Sequence, residues 1–276
     1  MLMNSLEDNH EDILAKAMRG LGIGKTDMAS RIGLDKSRVD AVLKGEIDDE
    51  VIKAMAGTLG LDGSKLIVSS RKGWLPSPCS IEALEQFNLP FRDMRVNAYL
   101  VWDENTGNAW AFDTGSQAAP MLKSLESKGL SLDGIFLTHT HPDHIACLDE
   151  LRQEAGNPLV YVHELEEIAD SKLISEGFEC RCGNLSTKAL HTHGHSIGGT
   201  TFLVDGLEHP VAMVGDALFA GSMGGGMVSY EDALRNNREK IMVLPDQTIV
   251  CPGHGPTTTV REEKASNPFF PEFKAC

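Results

Sequence analysis

The stretch Thr138-His139-Thr140-His141-Pro142-Asp143-His144 follows directly after the apolar run Gly134-Ile135-Phe136-Leu137. A short apolar run that ends in a polar cluster predicts a buried strand leading into a loop. Three imidazoles and one carboxylate stand within six residues of this loop. These are the ligand types that zinc and similar first-row metals prefer. The stretch therefore predicts a metal site at the end of a strand.

Further candidate ligands are expected at the ends of other strands, because such loops meet at one edge of a sheet. Three later segments place a metal-ligand side chain beside a strand-like apolar run: His195 before residues 200–204, Asp216 after residues 211–214 and His254 after residues 248–251. The mixture of strand hairpins and strand-helix units from residue 80 onward predicts a layered α/β structure.

Composition and charge narrow the class of protein. The chain has 276 residues, of which 41% are hydrophobic, so it can bury a substantial core in one large or two ordinary domains. A net charge of −15 argues against a nucleic-acid or anionic-membrane surface for the chain as a whole. No run approaches the roughly 18 apolar residues that a membrane span requires. The polar, acidic amino terminus lacks a secretion signal and the six cysteines form no disulfide framework, so we expect a cytoplasmic protein.

The amino-terminal segment has the periodicity of several short helices. The segments 25–32 and 36–43 are joined by a turn that contains Gly33, which is the arrangement of a helix-turn-helix motif. This pattern resembles the phage-repressor type of DNA-binding domain. In that family the second helix enters the major groove, so the resemblance implies DNA contacts by three residues at its start: Lys36, Ser37 and Arg38.

The charge of this segment does not favour DNA binding. Residues 1–72 hold 11 Lys or Arg against 12 Asp or Glu, a net charge of −1, whereas phosphate contacts need a basic face. A helical bundle for dimerisation or partner contact is the alternative, and a homodimer stays open. We divide the chain into a small all-α helix-turn-helix domain at 1–72, a linker at 73–79 and a large domain at 80–276. We expect weak DNA binding at most, and hydrolysis that survives removal of residues 1–72.

The motifs of the large domain, in their order and spacing, resemble those of the metallo-β-lactamase superfamily. Asp113 matches the early Asp-x-Gly of that family. The resemblance implies an αββα sandwich and two divalent metal ions, expected to be Zn, with Fe or Mn as alternatives. Motif by motif, it assigns His139, His141 and His195 to the first metal, Asp143, His144 and His254 to the second, and Asp216 to a bridging position. Asp113 is expected to support these ligands without binding metal.

The same resemblance implies the chemistry. The ligand pattern and the stretch 251–258 are most similar to the short bacterial glyoxalase II-like hydrolases. These imply a small-molecule substrate, favoured to be a thioester of the S-acylglutathione type, attacked by a metal-bridging hydroxide. Asp143 would orient the attacking water or carry its proton. Lys264 is the candidate substrate contact.

Three other functions stay open. A lactonase would use the same seven ligands, and a persulfide dioxygenase would keep one iron. A DNA-binding regulator with a metal- or metabolite-sensing domain is the alternative from another class. Five histidines lie outside the ligand set. His191 and His193 are expected to be solvated or to support the ligands, and His10, His163 and His209 are expected at the surface.

Overall fold

A computed structural model describes residues 5–273 of the chain. Its first part consists of five helices: α1 (His10–Gly20), α2 (Lys25–Ile32), α3 (Lys36–Val42), α4 (Asp49–Leu59) and α5 (Gly63–Ser70). Gly33 and Gly60 end α2 and α4 with φ of 67° and 73°, the left-handed conformation that glycine adopts without steric cost. The helices occur where the sequence predicts them. Their role as a DNA-binding motif stays a prediction.

The first sheet has six strands in sequence order. They are β1 (Leu84–Phe91), β2 (Met94–Trp102), β3 (Asn108–Phe112), β4 (Ser131–Phe136), β5 (Leu159–His163) and β6 (Lys172–Ile174). The first three strands pair antiparallel, and β3 to β6 pair parallel. The carboxyl ends of β4 and β5 therefore lie at the same edge of this sheet.

The second sheet also has six strands, in the order β12-β11-β10-β9-β8-β7. They are β7 (Glu179–Cys182), β8 (Leu185–His191), β9 (Thr200–Asp205), β10 (Val211–Gly215), β11 (Ile249–Pro252) and β12 (Thr258–Thr259). Only the pair β10 and β11 is parallel, so the segments that follow these two strands start from one edge.

The two sheets pack face to face over an aromatic core. Trp110 and Phe112 of β3 and Phe136 of β4 point into this core, where Phe202 of β9 meets them. The alternate residues of β3, Ala109 and Ala111, face the helices α6 (Ala119–Lys128) and α8 (Leu148–Glu154) on the outer side. This alternation follows from the two-residue period of a strand buried on both faces.

The outer face of the second sheet has its own helical cover. Ala212 and Val214 of β10 belong to one continuous core with α9 (Tyr230–Asn236), α10 (Val260–Ser266) and the amino-terminal helices. The molecule thus has the expected order of helix, sheet, sheet and helix. The amino-terminal helices, however, are part of the outer layer and share its core.

The predicted elements and the observed ones differ in a few places. The sequence from His163 onward predicts a helix, but the chain forms only a 3-10 turn there, at Glu164–Glu166. The sequence does not predict β1, β6, β7, β8 and β12, because these strands are too short or too polar to show an apolar run. Residues 73–81 have no regular secondary structure, in agreement with a connecting segment there. Among residues 5–273, no helix combines the length and the apolar character of a membrane span.

Candidate metal centre

Three histidines from two loops form the first group of candidate ligands. His139 and His141 follow β4, and His195 precedes β9. Nδ1 of His141 lies 3.0 Å from Nε2 of His139 and 2.9 Å from Nε2 of His195. Three nitrogens this close can surround one metal ion.

A second group lies beside the first. Asp143 and His144 stand on the short helix α7 (Pro142–Ile145), and His254 follows β11. Oδ2 of Asp143 lies 3.3 Å from Nε2 of His254 and 3.6 Å from Nε2 of His144. One carboxylate and two imidazoles can hold a second ion here.

Asp216 lies between the two groups. Its Oδ2 is 3.3 Å from Nε2 of His195 and 3.5 Å from Nε2 of His254, and its Oδ1 is 3.4 Å from Nε2 of His144. Asp216 follows β10, whose last residue is Gly215. Gly215 has φ of 50°, and a Cβ at this position would lie 2.4 Å from Oγ1 of Thr138, so a side chain does not fit there. The structure therefore brings together all seven side chains that the sequence assigned to two metals.

The unpaired atoms of this cluster fit metal binding. Among the described residues, Nε2 of His144 and Oδ1 of Asp216 are buried and have no hydrogen-bond partner. Leaving such atoms unpaired in the interior costs about 1–3 kcal/mol each, and more for charged groups. Because both atoms point toward the other candidate ligands, a divalent cation would satisfy them.

Asp113 orients two of the histidine ligands. Its Oδ2 accepts a hydrogen bond from Nδ1 of His144 at 2.8 Å and one from Oγ1 of Thr138 at 2.7 Å. Oγ1 of Thr138 lies in turn 3.1 Å from Nδ1 of His139. Asp113 has φ of 55°, which is unusual for a residue other than glycine. A carboxylate in this position holds Nε2 of His144 free for metal, as expected for a supporting residue.

Backbone carbonyls orient the rings of His195 and His254, which also offer Nε2 to a metal. Nδ1 of His195 donates to the carbonyl of Gly225 at 2.9 Å, and Nδ1 of His254 donates to the carbonyl of Arg95 at 2.6 Å. Each bond sets the tautomer in which Nε2 is free of a proton and available to a metal.

Burial and the neighbouring charges shift the pKa values of the buried ligands in opposite directions. Burial lowers the pKa of His144, but the carboxylates of Asp113 and Asp216 outweigh it and raise that pKa to about 10. Burial likewise lowers and Asp216 raises the pKa of His254, to about 11 overall. Burial raises the pKa of Asp216, but His254 and His144 bring it well below its usual value. Without metal, these carboxylates favour the protonated form of both imidazoles, and metal binding competes with these protons.

Glu166 joins the two loops that carry the first group of ligands. Its Oε2 accepts hydrogen bonds from the backbone nitrogen of Thr140 at 2.6 Å and from Oγ1 of Thr140 at 3.0 Å. Its Oε1 accepts from the backbone nitrogen of Gly198 at 2.8 Å and from Oγ of Ser196. Sequence reasoning missed this residue. Its one signal was its position just after β5, at the sheet edge where β4 also ends.

Three histidines lie next to the ligand loop but outside the ligand groups. The ring of His191 stacks on that of His163 at 4.1 Å between centroids and lies 4.4 Å from that of His193. Nδ1 of His163 accepts a hydrogen bond from the backbone nitrogen of Leu165. The prediction that His163 lies at the surface is wrong, because the end of β5 is covered by this stack. His10, also expected at the surface, is buried. Its Nε2 lies 3.2 Å from the carbonyl oxygen of Glu46.

The candidate substrate and DNA contacts are engaged with nearby acidic groups. Lys264 on α10 pairs with Asp246 at 2.7 Å, and within residues 5–273 its ammonium forms no hydrogen bond or ion pair with a candidate metal ligand. Lys36 pairs with Asp40 at 2.5 Å. Arg38 pairs with Asp48 and Glu50, both at 2.7 Å, and Ser37 is exposed on the same helix, α3. The two positive charges at the start of α3 are therefore already compensated.

Comparison with known proteins identifies relatives of the large domain. Residues 92–254 match the family model of the Metallo-beta-lactamase superfamily. The probable metallo-hydrolase YqgX of Bacillus subtilis is 32% identical over 211 residues, which cover 67% of this chain and 97% of that protein. The hydroxyacylglutathione hydrolase GloC of Haemophilus influenzae is 29% identical over 206 residues, which cover 66% of this chain and 96% of that protein.

A solved structure supports the same relationship. The crystal structure of TTHA1623 in a di-iron-bound form superposes with a TM-score of 0.54 and 27% sequence identity. The superposition covers 66% of this chain and 99% of that one. About a third of this chain is therefore additional to that relative.

Proposed function

Because the chain belongs to the metallo-beta-lactamase superfamily, we propose that it is a hydrolase with two divalent metal ions that cleaves S-acyl thioesters. The observation that carries this proposal is the cluster of seven side chains, with Asp216 within 3.5 Å of ligands from both groups. Two relatives support it, since one is named a hydroxyacylglutathione hydrolase and another has a crystal structure in a di-iron-bound form. The ligand chemistry favours zinc, with iron or manganese as alternatives.

The roles of the residues follow from their positions. His139, His141 and His195 would hold one ion, Asp143, His144 and His254 the other, and Asp216 would contact both. Two such ions would lower the pKa of a water and polarise the substrate carbonyl.

Asp143 is the candidate proton carrier. Burial raises its pKa, but the hydrogen bond from His254 and the charge of His144 lower it overall, so the carboxylate is ionised at neutral pH. Its side chain is 13% exposed, more than those of His144 and His254, so it could orient a water and pass its proton to the departing thiolate.

The test combines metal analysis with a substrate panel. The purified protein should bind about two metal ions per chain and hydrolyse at least one small thioester of a panel that includes S-lactoylglutathione. A chelator should abolish this activity, and added zinc should restore it. His254→Ala should lower the metal content from about two to about one, because the first group keeps its three histidines and Asp216.

Two variants complete this experiment. Asp143→Asn should reduce turnover steeply while the protein stays folded. His209→Ala is the control for the histidine variant, because the side chain of His209 is 45% exposed and lies beside Glu208. Wild-type protein with one metal ion and a fully active His254→Ala variant would contradict the two-metal site. Oxygen consumption with glutathione persulfide, in the absence of thioester cleavage, would contradict the hydrolase.

A further inference from the structure

Hydrogen bonds from a lysine and a serine to one aspartate connect the first helix with the loop that follows Asp216. Lys16 of α1 donates to the carboxylate of Asp8 and, at 2.9 Å, to the carbonyl of Met223. Oγ of Ser222 donates to the same carboxylate at 2.5 Å. The loop that follows Asp216 is therefore attached to the start of the chain.

The same network contacts a metal-ligand side chain. Nζ of Lys16 lies 4.9 Å from the ring centroid of Phe219, and the ring of Phe219 packs edge-on against that of His254 at 5.5 Å. Gly255, with φ of 75°, lies against the backbone of Glu7, since a Cβ there would be 3.3 Å from its nitrogen. The segment before α1 thus runs directly beside the loop that carries His254.

A cavity of about 310 Å³ opens between this segment and the large domain. Its walls include Leu6 and Glu7 from the amino-terminal segment, Asp93 and Arg95 from the β1–β2 hairpin, and Gly255. The carbonyl of Arg95 is the group that accepts the hydrogen bond from His254. The cavity therefore adjoins the loop that carries His254 and is large enough for a small thiol.

The charged groups around the cavity are predominantly acidic. Among the described residues, the half-buried carboxylate of Glu7 has no hydrogen-bond or ion-pair partner. Burial raises the pKa of Glu7, and the charges of His254 and Asp216 are near enough to shift it as well. The guanidinium of Arg95 donates to the side chain and the carbonyl of Asn88, so it is already engaged. A cationic group would satisfy Glu7, whereas an anionic one would be repelled.

We propose that the amino-terminal segment forms one wall of the substrate site and that Glu7 determines specificity by favouring thiol leaving groups with a positive charge. This inference rests on the proposed thioesterase function. It assigns the segment before α1 a role in the enzyme's specificity, and it disfavours leaving groups whose net charge is negative.

The test uses three acetyl thioesters that differ in the charge of the leaving group. Acetylthiocholine is cationic, S-acetyl-mercaptoethanol is neutral and 3-(acetylthio)propionate is anionic. The full-length, metal-loaded protein should show the highest kcat/KM with acetylthiocholine. Glu7→Lys should lower the ratio of kcat/KM for the cationic over the anionic thioester by about tenfold or more, since the charge at the cavity changes by two.

Glu104→Lys is the matched control, because Glu104 is exposed in the β2–β3 turn and the same charge change there should leave the ratio as in the wild type. An unchanged ratio in Glu7→Lys would overturn the inference and leave the hydrolase proposal intact. If no thioester is cleaved, the hydrolase proposal fails, and calorimetric binding of thiocholine and 3-mercaptopropionate decides the inference. A preference for thiocholine that Glu7→Lys removes would support the cationic site, and equal binding would overturn it.

Discussion

At the scale of single residues, Glu166 determines how the first group of ligands is assembled. Its two carboxylate oxygens accept hydrogen bonds from Thr140 in one ligand loop and from Ser196 and Gly198 in the other. Hydrogen bonds to an ionised acceptor are roughly twice as strong as neutral ones. The distance between His141 and His195 therefore depends on a residue that lies three positions after the end of β5 and outside every ligand motif.

Glu166→Gln should weaken this connection without removing any metal ligand. The amide places a donor where the carboxylate has an acceptor, so one of the backbone nitrogens of Thr140 and Gly198 loses its partner. We expect metal affinity and kcat each to fall by about ten- to a hundredfold, the usual effect of removing a group that orients ligands. A competition titration with a chromogenic chelator measures the affinity.

Glu164→Gln is the control for this variant, because Glu164 is exposed on the same 3-10 turn. Activity of Glu166→Gln should return in part at saturating metal, which a defect of folding alone would not produce. Two tightly bound metal ions with wild-type turnover in Glu166→Gln would show that the loops keep their positions without this carboxylate.

At the scale of elements, the amino-terminal helices are bound to the large domain more closely than the sequence suggested. Their core residues lie in one cluster with Val214, Met223, Phe269 and Phe270. Nζ of Lys65 donates to four backbone carbonyls of the carboxy-terminal segment, at 2.9 to 3.3 Å. These contacts exclude water from the surfaces of the helices and of the large domain that face each other. Removing either part would expose the apolar residues of the other to water.

Removal of residues 1–72 should therefore destabilise the large domain, contrary to the expectation from the sequence that hydrolysis would survive. Each buried apolar side chain that becomes exposed costs about 1.5–3 kcal/mol, and several of them amount to a large part of the 5–15 kcal/mol that stabilises a typical domain. We expect aggregation or a strongly lowered Tm for residues 73–276, with loss of activity. Lys25→Ala, at an exposed position of α2, should leave Tm and activity unchanged. A truncated protein that is monomeric, folded and active would establish that the helices are separable.

At the scale of the whole molecule, the strands and ligands that could be predicted are those marked by a pattern within a short stretch of sequence. Residues 109–112 of β3, 134–136 of β4 and 211–215 of β10 form continuous buried runs without a charged side chain, because these parts of the strands are covered on both faces. Ligands at strand ends are likewise marked by their neighbours in the sequence. The position of Glu166 and the docking of α1 depend on contacts between distant segments, and no local pattern records such contacts. The edge strand β7 gave no signal for a different reason, because its sequence contains no apolar run.

The charge distribution of the whole molecule makes strong DNA binding unfavourable. The chain carries a net charge of −15, and on α3 the ammonium of Lys36 and the guanidinium of Arg38 are paired with acidic groups of the same surface. A phosphate would have to displace these carboxylates. We expect duplex DNA to bind with a dissociation constant of about 10⁻⁶ M or weaker at physiological salt, the range of non-specific binding.

Fluorescence anisotropy with labelled duplexes at several salt concentrations tests this expectation. Neutralising the partners in an Asp40→Asn, Asp48→Asn, Glu50→Gln variant should strengthen binding and steepen its dependence on salt, because Lys36 and Arg38 become available to phosphates. Thr58→Ala is a control that leaves the charge of this surface unchanged. A defined operator bound by the wild-type protein at nanomolar concentration in physiological salt would overturn the prediction and favour a DNA-binding regulator. In that case the contacts of Lys16 and Asp8 with the loop after Asp216 would connect the DNA-binding helices to the metal centre.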